Sequence, residues 1–363
     1  MNNFIYLDWA ATSPVCDAAK QAIVDHIDDF ANPSSSHELG RQARVLIEEA
    51  RERIARCINA EPDEIYFTSG GSEANTWVMR DYISVSSNFE HHSVKAKFKN
   101  VWIDNDGFVK TEFFSHINHS LAKYFDLESC MYVNNEIGTI QPIKNIAKIA
   151  HNKNMLFHTD AVQAVGHIPV DVKDLDCDML SASGHKFGAP KGVGFLYIKN
   201  GVELRNLING GSQELGKRGG TENVLGIVAM AAALEDAVTH MKERNDHIKN
   251  LGDNMLSKLL QIPGAHVNGS LENRIPGNIN IRFSGVSGSR LVTLCSLYGV
   301  FISSGSACNE GISEPSHVLK AIGLTDEEAL SSIRITIGHA NTEEEIEQAA
   351  KIITALVERI RNE

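Results

Sequence analysis

The stretch Ile65-Tyr66-Phe67-Thr68-Ser69-Gly70-Gly71-Ser72 sets the pattern of this chain: four strand-prone residues run into a polar, glycine-bearing turn, and a helical stretch follows. A short apolar run bounded by turn residues reads as a buried strand. The unit recurs. Cys130-Met131-Tyr132-Val133 runs into Asn134-Asn135-Glu136, and Met155-Leu156-Phe157-His158 runs into Thr159-Asp160. Met179-Leu180-Ser181 and Val193-Gly194-Phe195-Leu196-Tyr197 add two more strands. Helical spacing appears beside them, as in Arg41–Cys57, where Ala43, Leu46, Ile47, Ala50 and Ile54 fall on one face. Strands alternating with helices predict βαβ units and a mainly parallel sheet, hence an α/β fold.

Further on, a long helical stretch spans about Glu222 to Leu260, with a break expected near Asn245. The pattern then changes. Asn278–Phe283 and Ser332–Ile337 alternate like half-exposed strands, Leu291–Tyr298 reads as a short helix, and a charged amphipathic helix runs from Thr342 to the end. This is a second, α+β unit.

The 363 residues suggest about two domains, at roughly 150 residues each. With 42% hydrophobic and 22% charged residues the chain is globular in composition, which excludes a disordered or fibrous protein. The net charge of −12 argues against a nucleic-acid or anionic-membrane footprint. No run approaches 18 apolar residues, so no membrane span is expected, and the N-terminus lacks the basic and apolar regions of a signal peptide. The six cysteines form no C-x-x-C pair and no zinc-type cluster, as expected of reduced thiols in the cytoplasm. No metal site is expected, and His91-His92 is merely an adjacent pair.

Polar turns after the strands of an open α/β sheet converge on one edge, where such folds bind ligands. Within Ser181-Ala-Ser-Gly-His-Lys-Phe-Gly-Ala-Pro-Lys-Gly-Val-Gly194, Lys186 follows a strand in a glycine-rich turn. A lysine desolvated there loses basicity, and a neutral amine can form a Schiff base with an aldehyde. Asp160 ends a buried strand, where a carboxylate can keep the ring nitrogen of pyridoxal phosphate protonated. Ser69-Gly70-Gly71-Ser72-Glu73 opens a helix, whose free N–H groups suit a phosphate. Taken singly, each is ordinary turn, cap or surface chemistry. Together they describe a pyridoxal phosphate pocket.

With Asp160-Ala-Val-Gln163, Ser183-Gly-His-Lys186 and Ser303-Ser-Gly-Ser-Ala-Cys308 the chain resembles a cysteine desulfurase of the NifS/IscS type, in the class V aminotransferase group of fold type I enzymes. Leu7–Thr12, Asn32–His37, Glu90-His91, Val133–Gly138, Arg218–Thr221 and Ser331–Arg334 continue the likeness in family order. The resemblance implies a large domain, residues 13–245, with a mainly parallel seven-stranded sheet flanked by helices. Residues 1–12 and 246–363 would form a smaller α+β domain carrying the catalytic cysteine. It implies Lys186 as the Schiff-base lysine, Asp160 on the pyridinium nitrogen and Gln163 on the ring hydroxyl. His91 would stack on the ring and move protons. Gly71, Ser72, Ser183 and His185 would hold the phosphate. Thr221 would reach the phosphate of a second subunit, giving a homodimer. Asn135 and Arg334 would take the substrate carboxylate, and Cys308 would be the nucleophile. The implied partners are L-cysteine and a sulfur acceptor, an iron–sulfur scaffold or a tRNA-thiolation carrier. Selenocysteine lyase chemistry, or lysis of another related amino acid, is the alternative on the same pocket. The chain departs from the family's usual residues at Trp9, Ser13, Ser72 and Asn75-Thr76, and 91–135 is shorter than usual.

The surroundings of Cys308 agree with that role. Small residues with Gly305 and Gly311 predict an exposed loop, where a thiol can ionise. Cys16, Cys57 and Cys295 fall in helical stretches, Cys130 on a strand and Cys177 between aspartates, all structural settings. Cys308→Ser is therefore expected to bind cofactor yet carry no persulfide by mass spectrometry and release no alanine. Serine at any of the other five positions is expected to cost at most about 0.5–3 kcal/mol of stability and to spare the chemistry.

Overall fold

The structure, a computed structural model, describes residues 4–101, 103–110, 124–304, 308–309 and 312–363. Fourteen strands are described: β1 Ile5–Tyr6, β2 Ile65–Thr68, β3 Ser84–Ser87, β4 Phe98–Val101, β5 Leu127–Ser129, β6 Leu156–Asp160, β7 Met179–Ser183, β8 Gly194–Ile198, β9 Ala265–Val267, β10 Asn278–Phe283, β11 Val300–Phe301, β12 Cys308–Asn309, β13 Ile312–Ser313 and β14 Ser332–Thr336. Seven of them build one sheet in the order β2-β8-β7-β6-β5-β3-β4. The pairs from β7 to β4 are parallel, while β8 runs antiparallel to both β7 and β2. The α/β expectation, with a mainly parallel sheet, holds. Strands β2, β3, β5, β7 and β8 are buried along their whole length, as expected of a sheet covered on both faces.

Two expectations need correction. The second strand is Leu127–Ser129 rather than Cys130–Val133. Cys130 N and Tyr132 N still donate to the His158 and Asp160 carbonyls, but this segment has left the sheet ladder to line its edge. The long helical stretch is two helices, Val224–Thr239 and Met241–Leu259, which meet at His240 with a bend of 69°. Asn245 lies inside the second helix, its side-chain amide donating outward to the His167 carbonyl at 2.8 Å. The first helix is apolar nearly all round and sits in the core under the helices Asp17–His26 and Glu38–Cys57. Among the described residues no single helix is long and apolar enough to cross a membrane.

A second, antiparallel sheet has the order β14-β10-β9. Its apolar cluster joins Ile281, Phe283, Ile333 and Ile335 to Ile353 and Val357 of the C-terminal helix Glu343–Asn362, which starts at Thr342 with a reciprocal capping box. Ile5 and Leu7 belong to this cluster. β1 pairs in parallel with β11, and Asp8 bridges to Thr336. The chain then crosses to the edge of the large sheet, so that residues 8–13 lie between the two sheets' cores. Of the expected exposed loop, 305–307 and 310–311 lie outside the described residues; Cys308–Asn309 pairs with Ile312–Ser313 as a short antiparallel hairpin.

Phe157 is fully buried in β6, the strand that delivers Asp160. Phe157→Ala is expected to destabilise the protein by about 3–5 kcal/mol in urea unfolding, whereas Leu297→Ala, at a side chain 77% exposed, is expected to stay within about 0.5 kcal/mol.

Candidate active site

A cavity of about 550 Å3 opens at the carboxyl edge of the large sheet. It gathers Gly71, Ser72, His91, Asn135, Asp160, Gln163, Ser183, His185, Lys186 and Arg334, which lie far apart in sequence. Each arrives from a strand end or the turn after it, except Arg334, which comes from β14 of the second sheet.

The glycine turn enters between β2 and β8. A Cβ on Gly194 would sit 2.6 Å from Gly70 Cα, so only glycine at the start of β8 lets the turn lie this close. A Cβ on Gly71 would meet Val162 at 2.4 Å. The helix Gly71–Asp81 thus begins flush with the cavity, its first-turn N–H groups free of intrahelical acceptors. Ser72, Ser183 and His185 line the same end. His185 Nδ1 lies 3.1 Å from Thr12 Oγ1, and burial lowers its pKa to about 4. Ser13, one of the departures from the family's usual residues, donates from both N–H and Oγ to the His185 carbonyl at 2.9 Å.

Asp160 is 4% exposed. Its Oδ1 accepts from the Val162 N–H at 3.0 Å and its Oδ2 from Asn75 Nδ2 at 2.6 Å. Lys186 Nζ donates to the Ala10 and Ala11 carbonyls at 2.7 and 2.8 Å. Burial, helped by the Arg334 charge and opposed by Asp160 and Asp8, brings its pKa down to about 8. Gln163 Nε2 donates to the same Ala10 carbonyl at 2.9 Å. His91 is open to the cavity, yet the protein packed round it holds its pKa below the ordinary range against the pull of Asp160.

At the opposite end, Arg334 Nη1 donates to the Asn135 carbonyl at 3.0 Å and Nη2 to Asp8 Oδ1 at 2.7 Å. Its Nε is buried with no partner among the described residues, and Nη1 and Nη2 each keep a second N–H for an anion. Next to Asn135, Glu136 is pushed up to about 7 by burial while Ser316 Oγ donates to it at 2.6 Å. Thr221 lines a neighbouring cavity, which shares Ser69 and Gly192 with the main one. The side chain of Cys308 lies outside the described residues.

Residue-by-residue reading of the sequence missed Asn75, Asp8 and His167. Asn75 is 1% exposed and holds Asp160; its place one turn into the glycine-started helix was the only signal. Asp8 pairs with an arginine 326 residues away. His167, whose pKa burial lowers to about 4, lies with Nε2 3.0 Å from the Lys186 carbonyl, so the neutral ring donates from Nε2 and fixes the lysine's backbone.

The set fits pyridoxal phosphate. A helix start sterically closed to a side chain suits the phosphate, a buried, hydrogen-bonded carboxylate the pyridinium, and a depressed amine the aldehyde. Among the described residues no cluster of His, Cys, Asp and Glu could hold a metal.

The aminotransferase class-V family matches residues 5–349. The cysteine desulfurase IscS of Clostridium botulinum is 40% identical over 384 residues, covering 99% of this chain and 96% of that protein. A solved NifS-like protein superposes with a TM-score of 0.89 at 36% identity, over 98% of this chain and all of that one. SspA in complex with cysteine superposes with a TM-score of 0.79 at 32% identity, over 93% and 99%.

The lysine's position gives a pH test. Only the neutral amine attacks an aldehyde, and its fraction grows as pH rises toward the pKa. Capture of pyridoxal phosphate by the apoprotein, followed by stopped-flow absorbance, is expected to speed up about tenfold per unit below pH 8 and to level off above it. A rate still climbing toward pH 10 would mean an ordinary, solvated lysine.

Proposed function

The chain belongs to the aminotransferase class-V family and is one of its cysteine desulfurases, and on that premise we propose how its residues convert L-cysteine to L-alanine and move the sulfur onto Cys308 as a persulfide. The observation that carries this reading is the half-buried Lys186 amine and the Asp160 carboxylate lining one cavity with Arg334 at its far side. Gly71, Ser72, Ser183 and His185 hold the phosphate, Asp160 the ring nitrogen, Gln163 the ring hydroxyl, and His91 covers the ring. Bound there, pyridoxal phosphate supplies an aldehyde and a ring that takes up the electron pair left when the α-proton departs.

The protein's own groups do the rest. Arg334 takes the substrate carboxylate on the N–H groups that Asp8 and Asn135 leave free, with the Asn135 side chain beside it. Asp8 keeps the guanidinium from swinging away. Lys186, with a pKa near pH 8, gives and takes a proton at Nζ, and the Ala10 and Ala11 carbonyls hold that nitrogen when it is protonated. The Cys308 thiolate attacks the substrate sulfur. An S–S bond forms as the Cβ–S bond breaks, the electron pair stays with the carbon skeleton, and one proton added at Cβ and one returned to Cα give alanine. Of the five cysteines whose side chains are described, burial pushes Cys16, Cys57, Cys130, Cys177 and Cys295 all upward, so none competes as a thiolate.

We place the protein in the cytoplasm, as a homodimer in which Thr221 reaches across to the partner's phosphate end. Its position beside the main cavity, rather than inside it, supports this. The persulfide passes to an acceptor protein of iron–sulfur cluster assembly or tRNA thiolation.

The experiment is a turnover assay with L-cysteine, reading alanine and the mass of the Cys308 peptide. Wild type is expected to give alanine and a 32 Da gain on that peptide, the mass of one sulfur atom, ~32 on the atomic scale. Lys186→Ala is expected to lose both the visible absorbance of bound cofactor and alanine release. An unchanged absorbance in that variant, or alanine formed with no sulfur on Cys308, sinks the reading.

A further inference from the structure

The imidazole of His91 is wired from behind. Ser93 N–H points at His91 Nδ1 from 3.2 Å, and Ser93 Oγ lies 2.7 Å from the same nitrogen. A backbone N–H can only donate, so Nδ1 is an acceptor and the proton of the neutral ring sits on Nε2. Ser93 Oγ lies in turn 2.9 Å from Asn75 Nδ2, which also can only donate. The serine oxygen therefore accepts from Asn75, and its own proton is free for Nδ1. The second hydrogen of Asn75 goes to Asp160 Oδ2 at 2.6 Å. Asp160, acceptor-only as a carboxylate, fixes which way the Asn75 amide faces. Each direction in the chain from Asp160 through Asn75 and Ser93 to His91 is thereby set.

We propose that Ser93 is a positioning residue for His91: backed by Asn75 and Asp160, it fixes the neutral Nε2–H tautomer and keeps Nδ1 from taking a proton, so that His91 offers the cavity a hydrogen-bond donor. This rests on the desulfurase reading above only for its consequence in turnover. The charged and titratable groups that act on His91 are Asp160 from the end of β6, Lys186 from the turn after β7 and its neighbour His92. Asp160 favours the imidazolium; Lys186 and His92 oppose it. Two donors aimed at Nδ1 add to the opposition, because they bind only the unprotonated nitrogen.

The test uses the holoenzyme. Nitrogen-15 spectra of labelled histidine, with the His91 signals assigned by difference against His91→Asn, are expected to show Nε2 protonated and Nδ1 as acceptor. A protonated Nδ1 in the neutral ring overturns the proposal whether or not any variant folds. Ser93→Ala is expected to move the acid limb of the kcat profile to higher pH by about half a unit or more, from one lost hydrogen bond. KM for L-cysteine at pH 8 is expected to stay within about twofold, and Ser93→Thr to restore the limb. A merely structural serine would lower kcat evenly with pH and reduce bound cofactor; that outcome, or an unmoved limb, overturns the proposal. If wild type releases no alanine, the functional reading fails, while the nitrogen-15 spectrum still decides the tautomer.

Discussion

A carboxylate withdrawn from water at the end of a central strand is the constraint around which this molecule is arranged. Burying Asp160 is costly unless donors meet it. One donor comes from its own turn, at Val162, and one from the first helical turn after β2, at Asn75. The second requirement brings the glycine turn hard against the sheet, which in turn requires Gly194 and Gly71 to lack side chains. The glycine-started helix at that end of the cavity is thus tied to satisfying the carboxylate.

The same constraint shapes the cation opposite. Lys186 and Arg334 both line the cavity with Asp160, and the Arg334 charge makes Lys186 harder to protonate. The amine ends near pH 8, where it can cycle between its forms. The guanidinium stays fixed because Asp8 and the Asn135 carbonyl grip two of its nitrogens. A mobile proton on one cation and a locked charge on the other suit one proton carrier and one carboxylate anchor.

Much of this was legible in the sequence, for a physical reason. A sheet covered on both faces spells its strands as unbroken apolar runs, and the polar residues that follow mark its ligand-binding edge; Lys186, Asp160 and Gly71 were found that way. The misses have reasons too. β5 is Leu127-Glu128-Ser129, and a hydropathy reading passes over a buried glutamate to settle on the apolar residues after it. The helix bends at His240, an ordinary residue, while Asn245, a natural breaker, is kept helical by the acceptor its side chain finds on His167. Asn75 and Asp8 act through bonds to residues 18 to 326 positions away, and no local pattern announces such a partner.

The placement of β1 bears on how the molecule comes off the ribosome. Residues 5, 6 and 8 find their partners about 300 residues further along the chain, at Val300, Phe301 and Thr336. The large sheet can assemble while synthesis is still under way, since its last strand ends at Ile198. The two carbonyls that receive the Lys186 ammonium belong to Ala10 and Ala11, directly behind β1. The strand before them gains its partners only once residues 300–336 have emerged. A nascent chain stalled before residue 300 would hold the strands of the large sheet while β1, directly before these two carbonyls, still lacked its partner strand.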